Sequence, residues 1–389
     1  MRKECRMMGV YADYAATTPV KPEVVEAMTN IYQTHYGNPS SIHTQGRDAR
    51  RFLDEARRTV AQCLNANPNE IIFTSGATES NNTAIKGMAY ANISKGKHLI
   101  TTKIEHHSVL HVFEFLESQG FEVTYLNVNE EGLVDLDALK EAMRPDTTLV
   151  SIMLVNNEVG TVQQVYDIQE ILSDYSALFH MDAVQAIGHL PVDVKDLQVD
   201  ALSLTAHKFG GPKGVGALYV KNGTQIQYSQ MGGEQETKRR AGTENVAQIV
   251  GLATAMQLAE NNRDENQIYI TRLKEILLVN LQERAIPFEY NGSMIESSNH
   301  IVNLYFPFVN VETLLTLLDI AGIYVSSGSA CTAGSTIPSH VLSAMYGEEN
   351  PKVNHSIRIS LNENVTEREI QTIVVELQKI YLKFKEESL

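Results

Sequence analysis

Between Glu70 and Val220 the chain alternates short, continuous apolar runs with amphipathic stretches of helical spacing. The apolar runs lack the alternation expected of strands that face water, and the stretches between them are long enough to cross back over a sheet. This alternation predicts a mostly parallel, mixed sheet with helices on both faces. After the largely helical stretch Gln248–Asn280, strands and helices follow in an α+β pattern, which predicts a second, smaller region.

Chain length and composition support two domains. With 389 residues, of which 43% are hydrophobic, the chain can bury a large core and is long for one domain. We predict a large α/β domain at residues 17–262. We also predict a small α+β domain formed by residues 1–16 together with residues 263–389.

The overall charge and the cysteine content disfavour several classes of protein. The chain has 32 basic and 47 acidic residues, a net charge of −15, which disfavours direct binding to nucleic acid. No apolar run reaches membrane-spanning length, and Met1–Gly9 lacks the apolar centre of a signal peptide, so we predict a cytoplasmic protein that does not enter a membrane. The cysteines, Cys5, Cys63 and Cys331, include no C-x-x-C pair, which fits a reducing compartment.

The stretch Leu202–Gly216 places a lysine at the end of a predicted buried strand. It reads L-S-L-T-A-H-K-F-G-G-P-K-G-V-G, and Lys208 stands directly before the glycine-rich turn. A charged ammonium is costly at the mouth of a buried strand, but the same place suits an amine that must lose its proton and form a Schiff base. By itself the stretch is also compatible with a surface lysine that begins a loop.

Polar residues recur where the predicted strands end, and ligands of open α/β sheets bind outside the carboxyl ends of the strands. Any one of these residues could serve as a helix cap or turn residue, but their recurrence at several strand ends predicts a site. The residues are Glu105, His106, His107, Asn156, Asn157, Glu158, Asp182, Gln185, Thr205, His207 and Lys208.

A metal site and a nucleotide site are weakly supported alternatives. His107 and His111 have helical i, i+4 spacing, but the H-E-x-x-H glutamate and a third ligand at a recognisable spacing are missing, so we predict no metal. The G-G-P-K-G-V-G stretch matches neither a Walker loop nor G-x-G-x-x-G.

Pyridoxal phosphate would use all of these groups. It needs a lysine, a carboxylate for its pyridine nitrogen, a ring that stacks on its face, a donor to its 3-oxygen and a phosphate cup. Lys208, Asp182, His106 and Gln185 match the first four demands in kind. The turn Ser75–Thr78, between a strand and a helix, matches the fifth, although the same residue types also serve as simple helix caps.

Two further residues suggest the substrate. Cys331 lies in V-S-S-G-S-A-C-T-A-G-S-T, a run too small and polar to form core, whereas Cys63 falls on the apolar face of a helix. A thiol on such a loop beside the cofactor suggests attack on sulfur, although it could also be an incidental exposed cysteine. Arg358 in S-I-R-I-S could bind a substrate carboxylate, or it could form a structural ion pair.

From about Tyr11 to near its C-terminus, the chain resembles the NifS/IscS group of cysteine desulfurases. The motifs that carry the resemblance are D-Y-A-A-T-T-P, G-N-P-S-S, F-T-S-G-A-T-E-S-N, T-K-I-E-H-H, V-N-N-E-V-G-T-V-Q, H-M-D-A-V-Q, A-H-K-F-G-G-P-K-G-V-G-A-L-Y, R-R-A-G-T-E-N, S-S-G-S-A-C-T-A-G and S-I-R-I-S. The resemblance implies the pyridoxal phosphate fold type I, a homodimer, and conversion of L-cysteine to L-alanine with sulfur transfer to Cys331 as a persulfide.

The resemblance also implies a role for each site residue. Lys208 would bind the cofactor covalently, His106 would stack on its ring and assist proton transfer, and Cys331 would be the nucleophile. Asn38 and Arg358 would bind the carboxylate of cysteine. The cofactor contacts would be Ala77, Thr78, His106, Asn157, Asp182, Gln185, Thr205, His207 and Lys208, together with Thr243 of the partner subunit.

The long cysteine loop and the short C-terminus look most like Gram-positive forms that supply sulfur to the tRNA 2-thiouridylase MnmA. Such a thiouridylase is therefore the expected acceptor protein, with an iron–sulfur scaffold as the other candidate. A selenocysteine lyase or another aminotransferase of the same fold would leave the loop at 326–335 unexplained. A non-catalytic dimeric scaffold would leave Lys208, Asp182 and His106 unexplained.

Overall fold

The computed structural model describes residues 9–328 and 338–387. Within these two ranges, no helix is both long and apolar enough to cross a lipid bilayer.

The larger region is built on one sheet, whose strands are ordered β2-β8-β7-β6-β5-β3-β4 among the described residues. All neighbouring pairs are parallel except those made by β8, which runs antiparallel to both β2 and β7. The carboxyl ends of the other strands therefore meet at one edge. The strands are β2 (Ile71–Thr74), β3 (His98–Thr102), β4 (Glu122–Leu126), β5 (Thr147–Ser151), β6 (Leu178–Asp182), β7 (Ala201–Thr205) and β8 (Gly216–Val220).

Helices connect these strands, and apolar side chains pack on both faces of the sheet. Ile71 and Phe73 belong to one buried cluster, whereas Ile72 between them belongs to another, as expected for a strand covered on both sides. The helices of this region are α1 (Pro22–Thr34), α2 (Thr44–Cys63), α3 (Ala77–Ala91), α4 (His107–Ser118), α5 (Leu136–Ala142), α6 (Val165–Leu172), α7 (Gln235–Lys238) and α8 (Val246–Asn261).

The second region has its own antiparallel sheet, in the order β12-β10-β9. Its apolar side chains form a separate cluster that includes Leu277, Val302 and Ile359. The elements of this region are α9 (Arg263–Glu283), β9 (Glu289–Asn291), β10 (Ile301–Tyr305), α10 (Val311–Ile320), β11 (Ile323–Tyr324), α11 (His340–Tyr346), α12 (Lys352–His355), β12 (Ser356–Ser360) and α13 (Glu367–Glu387).

The start of the described chain joins this second region. Strand β1 (Val10–Tyr11) pairs in parallel with β11, and Asp13 forms an isolated bridge with Ser360. The backbone amide of Ala15 then donates a 2.9 Å hydrogen bond to the Ser360 hydroxyl. From there the chain runs to the carboxyl edge of the large sheet.

The predicted fold class is confirmed: a mostly parallel, mixed sheet lies in a larger region, beside a smaller α+β region. The predicted strand Val199–Ala206 corresponds to β7, and the helical stretch Gln248–Asn280 is two helices, α8 and α9. The short strands β9 and β11 were not predicted. The domain division after residue 262 stays a prediction; it falls at Asn262, between α8 and α9.

Candidate active site

A cavity of about 540 Å³ lies at the carboxyl edge of the large sheet. It is lined by residues that directly follow β2, β3, β5, β6 and β7, because parallel strands bring their carboxyl ends together. Most of the predicted site residues are among those that line it: Ala77, Thr78, His106, Asn157, Asp182, Gln185, Thr205, His207, Lys208 and Arg358.

Two of the predicted residues that the structure describes do not line this cavity. Asn38 is exposed after α1, where its side-chain oxygen accepts a 2.9 Å hydrogen bond from the Ser40 amide. Thr243 is also exposed, before α8, and it was predicted to act on the partner subunit. Cys331 lies outside the described residues, as does Cys5. The roles of these residues stay predictions.

Lys208 reaches the cavity from a short 3-10 turn, Ala206–Lys208, that follows β7 directly. Its Nζ donates to the backbone carbonyls of Ala15, at 2.6 Å, and Ala16, at 3.0 Å. The lysine is therefore held by the segment that enters from the second region. Beside it, burial lowers the pKa of His207 to about 4, and the positive charge of Lys208 acts in the same direction.

Asp182 is the last residue of β6, and its buried carboxylate lines the same cavity. Its Oδ2 accepts a 2.8 Å hydrogen bond from the Asn81 side chain, and its Oδ1 accepts one of 3.0 Å from the Val184 amide. Donors on both oxygens hold the carboxylate in one orientation. Such a group stabilises a proton on a ring nitrogen that it contacts.

His106 caps the N-terminus of α4 and lines the cavity with its ring. Its Nδ1 accepts a 3.1 Å hydrogen bond from the Ser108 amide, so in the neutral ring the proton is on Nε2. Burial lowers the pKa of His106 from its usual value, which keeps the ring neutral. Asn81 donates to Ser108 Oγ at 3.0 Å as well as to Asp182, so one amide connects the two sides of the site.

The turn after β2 forms a cradle for an anion. Gly76 is the N-cap residue of the 15-residue helix α3, and it brings no side chain to cap the first amides. A Cβ added at Gly216 in β8 would lie 2.7 Å from the Gly76 Cα, so the turn packs directly on the sheet. Glu79 accepts a 2.7 Å hydrogen bond from the Ser75 amide and forms an ion pair with Arg240, also at 2.7 Å.

Arg358 lies in β12, and only 2% of it is exposed. Its Nη2 forms a 2.8 Å ion pair with Asp13, and its Nη1 donates to the Asn157 carbonyl at 2.7 Å. Its Nε is buried and has no hydrogen-bond partner among the described residues. Because Arg358 also lines the cavity, a carboxylate bound there would lie beside its positive charge.

Described residues on both sides of the Cys331 segment line this cavity. Gly328, the last described residue before it, and His340, shortly after it, both line the cavity. A Cβ at Gly328 would lie 2.6 Å from Glu158 Oε2, and its φ is +95°, so this position requires glycine. Glu158 in turn accepts a short hydrogen bond, of 2.5 Å, from Ser339.

Several residues of the site were not assigned roles from the sequence. Asn81 contacts Asp182, and Ser108 contacts His106. Their only signal in the sequence is a place near the start of a helix that follows a strand of the large sheet. Glu105 is fully buried: its Oε1 accepts a 2.8 Å hydrogen bond from Thr102, and its Oε2 has no partner among the described residues. Burial raises the pKa of Glu105 to about 8, so this carboxyl is largely protonated at neutral pH.

These residues fit pyridoxal phosphate. A buried carboxylate, an amine, a neutral ring and an uncapped helix N-terminus line one cavity, and the nearby arginine has an unsatisfied donor. Each group matches one chemical feature of the cofactor or of an amino-acid carboxylate.

The family model for class-V aminotransferases matches residues 10–373. The chain belongs to the class-V aminotransferase family. It is 50% identical to a Bacillus subtilis protein named putative cysteine desulfurase IscS 1, over 94% of this chain and 97% of the relative. It is 47% identical to the cysteine desulfurase IscS of Dictyoglomus turgidum, over 97% of this chain and 95% of the relative.

Solved structures of this family give the same result. A NifS-like protein superimposes with a TM-score of 0.91 at 39% identity, covering 97% of this chain and all of that one. SspA, solved in complex with cysteine, gives a TM-score of 0.80 at 38% identity, covering 90% of this chain and 98% of that one. The resemblance to the NifS/IscS group that was read from the motifs is confirmed by these relatives.

Proposed function

We propose that this chain is a pyridoxal phosphate-dependent cysteine desulfurase, which converts L-cysteine to L-alanine and keeps the sulfur on Cys331 as a persulfide. The observation that carries the proposal is that Lys208, Asp182 and Arg358 line one cavity beside the anion cradle at Gly76. An enzyme that uses pyridoxal phosphate on an amino acid needs an amine for the cofactor, a proton on the pyridine nitrogen of the cofactor and a cation for the carboxylate of the substrate.

Each residue of the cavity has one task in the proposal. Asp182 keeps a proton on the pyridine nitrogen, and the amides at the start of α3 bind the phosphate, helped by Thr205 and His207. His106 stacks on the ring and Gln185 donates to its 3-oxygen. When bound, the cofactor accepts the electron pair that is released next to the amino group of the substrate. Lys208 takes the proton from the substrate Cα and returns a proton to Cα as alanine forms, so the proton that Cβ gains comes from another donor.

Arg358 selects an amino acid by its carboxylate. Asp13 and the Asn157 carbonyl fix two nitrogens of the guanidinium, so the charged group keeps one orientation at the cavity wall. A second donor to the carboxylate would come from Asn38, as the family resemblance implies. Because Asn38 does not line the cavity of this chain, that contact would need the partner subunit or a change in the Asn38 segment.

The sulfur transfer balances without an external reductant. The Cys331 thiolate attacks the sulfur of the substrate, the Cβ–S bond breaks, and an S–S bond forms on the protein. The electron pair of the broken bond stays on Cβ, where protonation gives the methyl group of alanine. Gly328 and His340 support this step, because the segment that carries Cys331 is attached at both ends to residues of the cavity wall.

The test compares alanine formation by wild-type protein, Cys331→Ser and Cys63→Ala, each loaded with pyridoxal phosphate. Cys63 is the matched control: burial raises the pKa of its thiol to about 12, which keeps it protonated and unreactive. Cys331→Ser should form no alanine above background while still binding the cofactor, and Cys63→Ala should retain wild-type activity. Alanine formation by Cys331→Ser at the wild-type rate would refute the role of Cys331.

We also propose a homodimer in the cytoplasm, with a tRNA-thiolating enzyme of the MnmA type as the sulfur acceptor. Support for this acceptor comes only from the sequence of the cysteine loop. Persulfide loaded with ³⁵S on Cys331 should pass to a thiouridylase faster than to an iron–sulfur scaffold protein. The reverse order would reassign the acceptor and leave the desulfurase activity in place.

A further inference from the structure

The side chain of Gln185 is held from two sides at the wall of the cavity. Its Nε2 donates to the Ala15 carbonyl at 3.0 Å, and its Oε1 lies 3.3 Å from Nε2 of His300. Because a backbone carbonyl can only accept, the amide nitrogen must face Ala15 and the amide oxygen must face His300. His300 therefore donates from Nε2, and the ring carries its proton there.

His300 comes from the second region, directly before β10, and only 1% of it is exposed. Its backbone is fixed, since its amide donates to the Ser298 carbonyl at 2.8 Å and its carbonyl accepts from the Leu361 amide at 2.7 Å. Its ring stacks in parallel on His189, with ring centres 3.6 Å apart and an interplanar angle of 0°. The orientation of the His300 donor is thus set by its backbone and by the stack.

His189 is anchored independently, because Gln267 Nε2 donates to its Nδ1 at 3.0 Å from helix α9. Two stacked rings at this distance cannot both be charged, and burial lowers the pKa of each, that of His189 to about 4. His300 is therefore a neutral donor at physiological pH. It orients Gln185 without adding a positive charge near Lys208.

We propose that His300 is a positioning residue. Its Nε2 donates a hydrogen bond to the amide oxygen of Gln185 and thereby helps to keep the amide nitrogen directed toward the cofactor. The inference rests on the proposed function, because it assumes that the 3-oxygen of pyridoxal phosphate accepts a hydrogen bond from Gln185. The Ala15 carbonyl fixes the amide nitrogen and His300 fixes the amide oxygen, so loss of His300 removes one of the two contacts that set this orientation. A flipped amide would present its oxygen to an anionic oxygen, and the two acceptors would repel each other.

The test is a double-mutant cycle on the affinity of the cofactor-free protein for pyridoxal phosphate, followed by visible absorbance. His300→Phe keeps an aromatic ring for the stack but removes the donor, and His300→Gln restores an N–H donor at a similar position. With Gln185 intact, His300→Phe should weaken binding about fivefold, the effect of one neutral hydrogen bond, and His300→Gln should bind within about twofold of wild type. In the Gln185→Ala background, His300→Phe should change the affinity less than about twofold.

The outcomes separate this inference from the function on which it rests. If His300→Phe changes the affinity equally in both backgrounds, or in neither, the positioning role of His300 is wrong. A visible cofactor band in the wild type would still support the proposed function. A wild-type protein without any visible cofactor band would overturn both. If His300→Phe does not fold, His300→Met provides the same loss of the donor. His355→Phe, the same exchange on α12 at a residue that does not line the cavity, is the matched control and should bind like wild type.

Discussion

His180 should make the protein sensitive to acid. It lies in β6, at the centre of the large sheet, with none of its side chain exposed. Its Nδ1 pairs with the Ser151 hydroxyl at 2.8 Å, and its Nε2 pairs with the Ser203 hydroxyl at 3.1 Å. Both nitrogens are satisfied by neutral groups, and no carboxylate contributes to its titration. Burial lowers the pKa of His180 to about 3.

The sign and the size of the effect follow from proton linkage. A histidine in the unfolded chain has a pKa of about 6.5, so between that value and the folded pKa the unfolded state binds a proton that the folded state does not. Stability is therefore unaffected well above pH 6.5 and falls as the pH drops below it. Between pH 7.5 and pH 5, this one residue should lower the free energy of unfolding by about 2 kcal/mol.

The assay is urea unfolding of the cofactor-free protein at pH 7.5, 6 and 5, for wild type, His180→Gln and the control His355→Gln. His180→Gln loses part of its hydrogen bonding at every pH, but its loss of stability between pH 7.5 and pH 5 should be smaller than that of wild type by about 2 kcal/mol. His355→Gln removes a histidine on the surface helix α12 and should keep the wild-type pH dependence. If His180→Gln and wild type lose the same free energy over this range, the assignment of a neutral buried histidine is wrong.

Three other substitutions test separate parts of the structure. Glu236→Gln removes a buried ion pair in which Glu236 lies 2.6 Å from Arg57. In urea unfolding, this substitution should lower the free energy of unfolding by about 3 kcal/mol. A loss below about 1 kcal/mol would contradict a buried pair. Gly216→Ala places a Cβ 2.7 Å from the Gly76 Cα; it should lower the melting temperature and weaken cofactor binding, and wild-type affinity would show that the turn adapts. Arg358→Lys loses the forked geometry; it should raise KM for L-cysteine about tenfold more than it lowers kcat, whereas an equal change in both would argue against carboxylate binding.

Much of the fold was predictable because the signals are local. Continuous apolar runs indicated the parallel strands, and the glycine-containing turn before α3 indicated the anion cradle. The convergence of Asp182, His106 and Lys208 followed from one rule, that parallel strands end at a common edge. The antiparallel direction of β8 was not predicted, because the residues that connect β7 to β8 show no periodic pattern that indicates the direction of the next strand.

The parts of the site that were missed depend on backbone groups and distant contacts. The acceptors for Lys208 are the carbonyls of Ala15 and Ala16, and a carbonyl looks the same at every residue in a sequence. The contact of His300 with Gln185 joins residues 115 positions apart in different regions, which no spacing rule connects. Asp13 is similar: it belongs to a recognised motif, but its ion pair with Arg358 joins residues 345 positions apart in the chain.

The pairing of the early segment with β12 has a consequence for synthesis of the protein. Asp13 and Ala15 contact Arg358 and Ser360, which the ribosome adds about 345 residues later. Until then the early segment can contact Gln185, His207 and Lys208 but lacks its contacts with Arg358 and Ser360. A chain released before residue 358 would therefore have the lysine but lack the arginine proposed to bind the substrate carboxylate, which would limit premature chemistry by incomplete chains.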